Sequence, residues 1–565
     1  MSAKPLNVVL YWHMHQPQYK DVHSGTYQLP WTYLHVIKDY VDMAAHLEAC
    51  PEARAVVNFT PTLLEQIDDY DHQIAHYFSH AEVIHDNMLE ALVQPALPPS
   101  PQQRLDLIKL CLRANEERLI KRYPEYARLA AQASFLEDHP DAIVYLHDQY
   151  LVDLIVWFHL AWMGETVQRS DLRIRRLIDK GMQFSYHDRT ELLKVIGELC
   201  ANVIPRYRAL AQRGQIELSM TPYAHPIMPL LIDLKSAHEA MPEAPLPACE
   251  FYPGGEERVH WHIEKGMAVF QEFFGFKPTG CWPSEGSVSE RTVQLLAQHG
   301  VKWLASGETV LRNSLNHQSG GAKIHCIHRP YLAPQTDTHC FFRDDGLSDL
   351  IGFTYATWHA DDAVANLVHH IDNIAVACGD DPDAIVSIIL DGENAWEYYP
   401  ENGYYFLKAL YEKLSTHPGI NLTTYSHYLT EHSKAKRLDK IVAGSWVYGT
   451  FSTWIGSHDK NLGWDMLCDA KKAVDKALAS GRFANGERER IERQLAICEG
   501  SDWFWWFGDY NPSDSVRDFE RLYRLQLSHL YMLIGEAAPE YLSKSFTQGT
   551  GTPAAGGTMR RGQEH

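Results

Sequence analysis

The chain has 565 residues, with 72 acidic against 51 basic side chains and a net charge of −21. That balance, with no block of like basic charge, excludes a surface that tracks a phosphate backbone, and with it nucleic acid as a partner. The length exceeds what one hydrophobic core usually holds, so a large domain with at least one further folded unit is expected.

In chain order, the first residues run directly into Asn7-Val-Val-Leu-Tyr-Trp12, which is apolar and β-branched. They lack the longer apolar run and small-residue cleavage site of a secretory signal, so a cytoplasmic location is expected. His13-Met-His15-Gln-Pro17 follows this strand, and a second strand, Ala53 to Phe59, precedes Thr60-Pro. From about 75 to 213 strand signals vanish and helix follows helix, as in Pro101 to Arg122 and Arg189 to Arg213, which reads as a helical insertion. Its most apolar run, Leu154 to Met163, spans ~10 residues where a membrane helix needs ~20, so it reads as a buried helix and no membrane is expected as a partner.

Strand and helix alternate again from about 215 to 433. Gly214 to Met220 ends in Thr221-Pro-Tyr-Ala-His225-Pro, and Cys281-Trp-Pro-Ser-Glu285-Gly precedes Ser287-Val-Ser-Glu290, whose spacing fits a capping box. Gly300 then stops the helix before the strand Val301 to Ser306. Ala384 to Leu390 is almost continuously apolar, as expected of a parallel strand covered on both faces. It leads through Asp391-Gly-Glu393-Asn-Ala-Trp396 to a helix starting at Tyr404. These alternations predict an α/β class, an incomplete or irregular parallel barrel over residues 1–433 that contains the insertion. Residues 437–545 read as a C-terminal helical domain that completes the active site, and 546–565 as a disordered tail.

Ten scattered cysteines without a C-x-x-C pair fit free thiols in a reducing compartment. The acids and imidazoles cluster where strands end, which is where barrel enzymes keep their chemistry. Two carboxylates from different strand ends are what a retaining glycosidase needs, one as nucleophile and one as acid and then base. The plainer readings are that Glu285 is an anion at a helix N-terminus and that Asp391, Glu393 and Glu397 lie in a solvated loop. Against these, the acids sit among Asn394, Trp396, Tyr398 and Tyr399, and aromatic faces cover the apolar faces of pyranoses. Six of the 15 tryptophans fall between 446 and 506, around Trp454 to Asn461 and Ser501-Asp-Trp-Phe-Trp-Trp-Phe.

Two other classes compete. His13-Met-His15 and His260-Trp-His262 have ligand-like spacing, as in a zinc-dependent polysaccharide deacetylase or α-mannosidase, although 31 histidines give such pairs by chance. A catalytically silent sugar-binding protein that keeps the fold is the other.

His15-Gln16-Pro17, Glu217 to Pro226, Trp-Pro-Ser-Glu285, Asp391-Gly-Glu-Asn and Trp454 to Asn461 stand in the order of the five regions that characterise glycoside hydrolase family 57, which the chain resembles outside the insertion and tail. The resemblance implies an incomplete (β/α)7 barrel followed by a helical domain, acting by retention on α-glucans such as maltodextrin, starch or glycogen, with no cofactor and no required metal. By position, Glu285 resembles the nucleophile and Asp391 the general acid/base, while His13, His15, Glu217, His225, Trp282 and Asp459 fall in or beside regions that line the sugar subsites. Glu393, Trp396, Trp454 and Trp505, from the acid-rich and aromatic runs, complete the substrate-binding candidates. The likeness is nearest to amylopullulanase- and α-amylase-like members, with 4-α-glucanotransferase or branching activity on the same site as the alternative. Ser306-Gly307-Glu308 departs from the family, which often carries a second acid before this Glu, so linkage specificity is not transferred through it.

Overall fold

The computed structural model describes residues 4–316, 326–379, 381–432, 434–551 and 558–561. Its strands are β1 (Leu6–Met14), β2 (Ala55–Phe59), β3 (Ile216–Met220), β4 (Gly280–Cys281), β5 (Trp303–Ser306), β6 (Tyr331–Leu332), β7 (His339–Phe342), β8 (Ile385–Asp391), β9 (Ile420–Leu422) and β10 (Lys436–Arg437). They form one curled sheet in the order β10-β6-β7-β5-β4-β3-β2-β1-β8, with β9 against β1. Seven of these, from β7 through β5 and β1 to β8, pair in parallel. A single bridge between Arg343 and Ser387 ties the end of β7 to β8, so the sheet curls into an incompletely closed barrel. This is the incomplete parallel barrel expected from the alternation of strands and helices, with the seven strands that the family resemblance implies.

Burial on both faces explains the uninterrupted apolar strands. Alternate residues of β1 go to different cores: Val8, Leu10 and Trp12 pack outward under the helices, while Val9 and Tyr11 point into the barrel with Val56, Trp282, Trp303, Phe341 and Ile389. The helix Tyr425–Glu431 caps that interior, where Tyr425 stacks on Phe341 at 4.1 Å between ring centres and tilts against Trp303 at 4.6 Å. The barrel is a packed core rather than a channel, and chemistry is left to its rim.

Between β2 and β3 lie eight α-helices, from Pro61–His80 to Tyr186–Gln212. Asp148–Trp162 is buried along almost its whole length, as its apolar run predicts. The capping box expected at Ser287 is not formed. Ser289 caps the helix Glu290–Gln298 instead, because Val288 is taken by paired backbone hydrogen bonds with Gly444. After the barrel come the helices His458–Ala479, Asn485–Cys498, Ser501–Trp506 and Ser513–Leu533. The tail expected to be disordered is packed where it is described: Thr547 is buried and donates to Asp459 at 2.7 Å, and Arg560 lies over Trp505. Residues 552–557 and 562–565 lie outside the described residues.

A buried ionic knot joins barrel and C-terminal helices. Glu499 accepts from Arg258 at 2.8 and 2.9 Å, from His262 at 2.7 Å and from Tyr252 at 2.5 Å. His262 and His260 therefore do not converge on a metal: His262 serves this knot and His260 pairs with His299. The Arg258 charge and the donated hydrogen bonds overcome burial and hold the Glu499 carboxyl down at about 2. Removing one partner of such a pair strands the other in the interior, so Glu499→Ala should lower stability by about 3–5 kcal/mol, read as a lower urea midpoint. Because the folded value lies below the ordinary 4.5, the stabilisation is complete above that value and fades as pH falls toward 2. Glu499→Gln should flatten the urea midpoint over that window, and an unchanged pH dependence would remove the knot from the account.

Candidate active site

Parallel register assembles the site. His13 pairs with Asp391 across β1 and β8, and with Asn58 across β1 and β2, so an imidazole stands between an acid and an amide at the same level of the rim. Above this level opens a cavity of about 630 Å³ lined by His13, His15, Glu285, Asp391 and Glu393.

His13 and His15 line the cavity, and the buried His225 stacks against both. His15 lies 3.9 Å from His225 and 5.6 Å from His13 between ring centres, all within about 20° of parallel. Asn58 Oδ1 accepts from Thr221 and its amide nitrogen donates to Ser219, so His13 Nδ1–H donates to Oδ1 at 2.6 Å. His225 Nδ1 is held by Ser501 at 2.8 Å. The Nε2 atoms of His13 and His225 are buried and have no protein partner among the described residues. Burial and the neighbouring rings push His13 down to about 3 and His225 well below its ordinary value, so both are neutral. His15 is fully engaged, with Nε2 2.7 Å from Asp502 and Nδ1 3.1 Å from Thr60. The three ring nitrogens are close enough together to share a cation, yet two of the rings alone have one to spare. The arrangement suits a neutral polar ligand with hydroxyls better than a metal.

Glu285 stands in a left-handed turn, φ 58° and ψ 25°, directly after β4. Trp446 grips it twice, donating from its backbone to the Glu285 carbonyl at 3.0 Å and from Nε1 to Oε2 at 2.9 Å. Arg343 supports Trp446 from beneath, 5.4 Å from its ring centre, and is itself fixed by Asp345, Asp349 and the Ile389 carbonyl. Gly307, which precedes Glu308, is required by packing in this chain. A Cβ there would lie 2.6 Å from the Trp446 Cα, so only glycine lets the 444–449 loop approach β5 this closely. Its neighbour Glu308 is buried, pairs with Arg312 and accepts from the Asp345 backbone.

Asp391 ends β8 and accepts from Asn394 at 2.9 Å. Burial pushes its carboxyl up to about 6, and burial with the charges of Asp391 and Asp502 pushes Glu285 up to about 8. Glu393, beside Asp391, is held well above the carboxylate range by burial and receives weak hydrogen bonds from His15 N–H and Gln16. Near neutral pH the pair Glu285 and Asp391 therefore keeps one proton between two carboxyls.

Several expected subsite residues lie elsewhere. Glu217 is the second residue of β3, at the opposite end of the barrel from the cavity, where it accepts from Trp303 and the Ser426 backbone. Trp396 is core, packed on Trp12 and donating to the Gly392 carbonyl. Trp282 sits beneath the floor against His13, Tyr11 and Trp446. Trp454 is buried behind Trp505, and Asp459 bonds the tail at Thr547. Trp505 does line the cavity, as do Trp31 and Trp162, Trp446, Asp502 and Arg560. Asp502 and Trp446 stand in runs whose mixture of aromatic and polar residues was legible. Trp31 and Trp162 carried no local signal of a role at the rim.

If these carboxyls react, kcat/KM should follow a bell with limbs near 6 and 8. Below the first both are protonated, and above the second neither is. Trp446→Phe removes a donor that favours the Glu285 anion and should move the alkaline limb up, while Gly307→Ala should lower kcat by displacing the same indole. An unmoved limb in Trp446→Phe would assign the higher value to another group.

The model for glycosyl hydrolase family 57 matches residues 9–441. No curated protein matches the chain in sequence. Among solved structures, a branching enzyme of this family type from Pyrococcus horikoshii superposes with TM-score 0.58 at 14% identity, over 96% of this chain and 92% of its own. The α-amylase AmyC from Thermotoga maritima gives 0.55 at 14% identity over 94% and 97%, and 4-α-glucanotransferase from Thermococcus litoralis 0.50 at 14% identity over 94% and 60%. At such identities these structures speak to the fold. The family match covers most of the chain, which belongs to glycosyl hydrolase family 57.

Proposed function

We propose that the protein is a retaining enzyme of α-glucans, cleaving α-glucosidic bonds in maltodextrin, starch or glycogen by double displacement. The observation that carries this reading is the pair of buried carboxyls, Glu285 and Asp391, which line one cavity and retain one proton between them near neutral pH. Glu285, gripped by the Trp446 indole, is the nucleophile. Burial places the single proton on Glu285 in the empty site, so the reactive form is the one in which that proton has passed to Asp391. The Glu285 anion bonds to the anomeric carbon as Asp391 gives the proton to the departing oxygen, and Asp391 then takes a proton from the incoming acceptor as the glycosyl bond breaks. The unpartnered Nε2 of His13 accepts from a hydroxyl of the sugar held at this point, the unpartnered Nε2 of His225 hydrogen-bonds another, and His15 is kept in place by Asp502 and Thr60.

A second reading is transfer to another sugar, by a 4-α-glucanotransferase or branching enzyme. The apolar wall of Trp31, Trp162, Trp505 and Trp506 favours it, because stacked aromatic faces bind a sugar acceptor and displace water from the intermediate. The proteins named by their resemblance in fold, an α-amylase, a glucanotransferase and a branching enzyme, span both outcomes.

The test is the time course of products from a pure linear maltooligosaccharide. Hydrolysis gives only shorter sugars with matching new reducing ends, and transfer gives longer or branched sugars with reducing ends constant. Glu285→Ala and Asp391→Ala should each lower kcat by several orders of magnitude while remaining folded. Near-normal turnover by either would refute its role.

A further inference from the structure

At the other end of β8 from Asp391, three soft ligands converge. Ile385 opens that strand and donates its N–H to the His328 carbonyl at 3.0 Å, which places His328 about 20 Å along the strand from Asp391. Cys326, His328 and Cys378 each offer a ligand atom there, all within 4.8 Å of one another. Cys326 belongs to the segment entering β6, and Cys378 is the last residue of the helix Ala360–Cys378.

The imidazole is oriented in advance. His328 Nε2 is 2.8 Å from Asp344 Oδ2, which leaves Nδ1 as the nitrogen for a ligand. Asp344 is itself fixed: its other oxygen accepts from the Leu347 backbone at 2.8 Å and its N–H donates to the Ser387 carbonyl at 2.8 Å. A carboxylate behind the ring is the usual support of a metal-bound histidine. Arg329, a neighbouring cation, is paired with Asp381 and also hydrogen-bonds Cys326. His328 keeps 17% side-chain exposure, so the cluster is reachable from solvent.

We propose that Cys326, His328 and Cys378 bind a zinc ion, with Asp344 positioning the His328 ring. Two thiolates and an imidazole are the ligand chemistry of tetrahedral zinc, and a water molecule takes the fourth position. Binding displaces the two protons that the three ligands carry between them and changes no oxidation state. The ion joins the segment before β6 to the end of the Ala360–Cys378 helix, far from the carboxyls, and so lies outside their chemistry.

The test uses the full-length, reduced protein titrated with Co2+ and then Zn2+. One Co2+ per chain should bind with a thiolate-to-cobalt charge-transfer band, and Zn2+ should bleach it. Cys326→Ser with Cys378→Ser should abolish the band, Asp344→Asn should weaken Zn2+ binding by about 10–100-fold, and His225→Ala should retain the band. Thiol alkylation of the wild type, mapped by mass spectrometry, gives a readout that needs no variant: Zn2+ should protect Cys326 and Cys378. Absence of both band and protection, a band that survives the double variant, or the two cysteines found joined as a disulfide in freshly purified protein would each overturn the proposal.

Discussion

The pairing of β1 with β8 is the constraint from which the rest of the site hangs. It sets His13 level with Asp391, and the pairing of β1 with β2 sets the same histidine level with Asn58. Because side chains alternate along a strand, a slip of one residue in either pairing would carry His13 to the other face and leave Asp391 without its neighbour. The register is protected by packing on both faces, since Tyr11 is locked inside the barrel and Trp12 outside it. The precision of a small polar site rests on a large apolar one.

The barrel rim is completed from distant parts of the chain. Trp446 reaches Glu285 from the stretch after β10, Asp502 and Ser501 hold His15 and His225 from the C-terminal helices, and Trp162 forms part of the wall from the helices between β2 and β3. Each contact places a hydrogen-bonding partner or an aromatic face where the strands alone would leave a polar group open to water. The Glu499 knot ties the helix Gly255–Phe274 to residues that lead directly into Ser501. A buried charge pair far from the cavity thereby helps fix the segment that anchors the imidazoles.

What was legible in the sequence follows from the range of the physics involved. Strand type, order and the placement of Glu285, Asp391, His13 and His15 at strand ends were readable, because they depend on local patterns of apolar residues and on where those patterns stop. Glu217, Trp396 and Asp459 were misplaced because nearness in sequence to a rim motif does not fix which end of a strand or which side of a loop a side chain occupies. Glu217 sits one turn of the pleat too early to reach the rim, and Trp396 turns back onto Trp12. The cap at Ser289 rather than Ser287 was decided by a backbone bridge to Gly444, 156 positions away in the chain, and no local spacing reports such a partner. The cysteines showed no pattern at all, since Cys326 and Cys378 meet only when the sheet closes.

The central claim is that Glu285 forms a covalent bond to the sugar while Asp391 moves the proton. It is tested most directly by trapping the intermediate with a slow fluorinated glucosyl donor and locating the added mass by peptide mapping. The account predicts one glucosyl adduct, on the peptide that carries Glu285, and none in Glu285→Gln. An adduct on the Asp391 peptide, or turnover of the donor with no adduct and an inverted product, would contradict it.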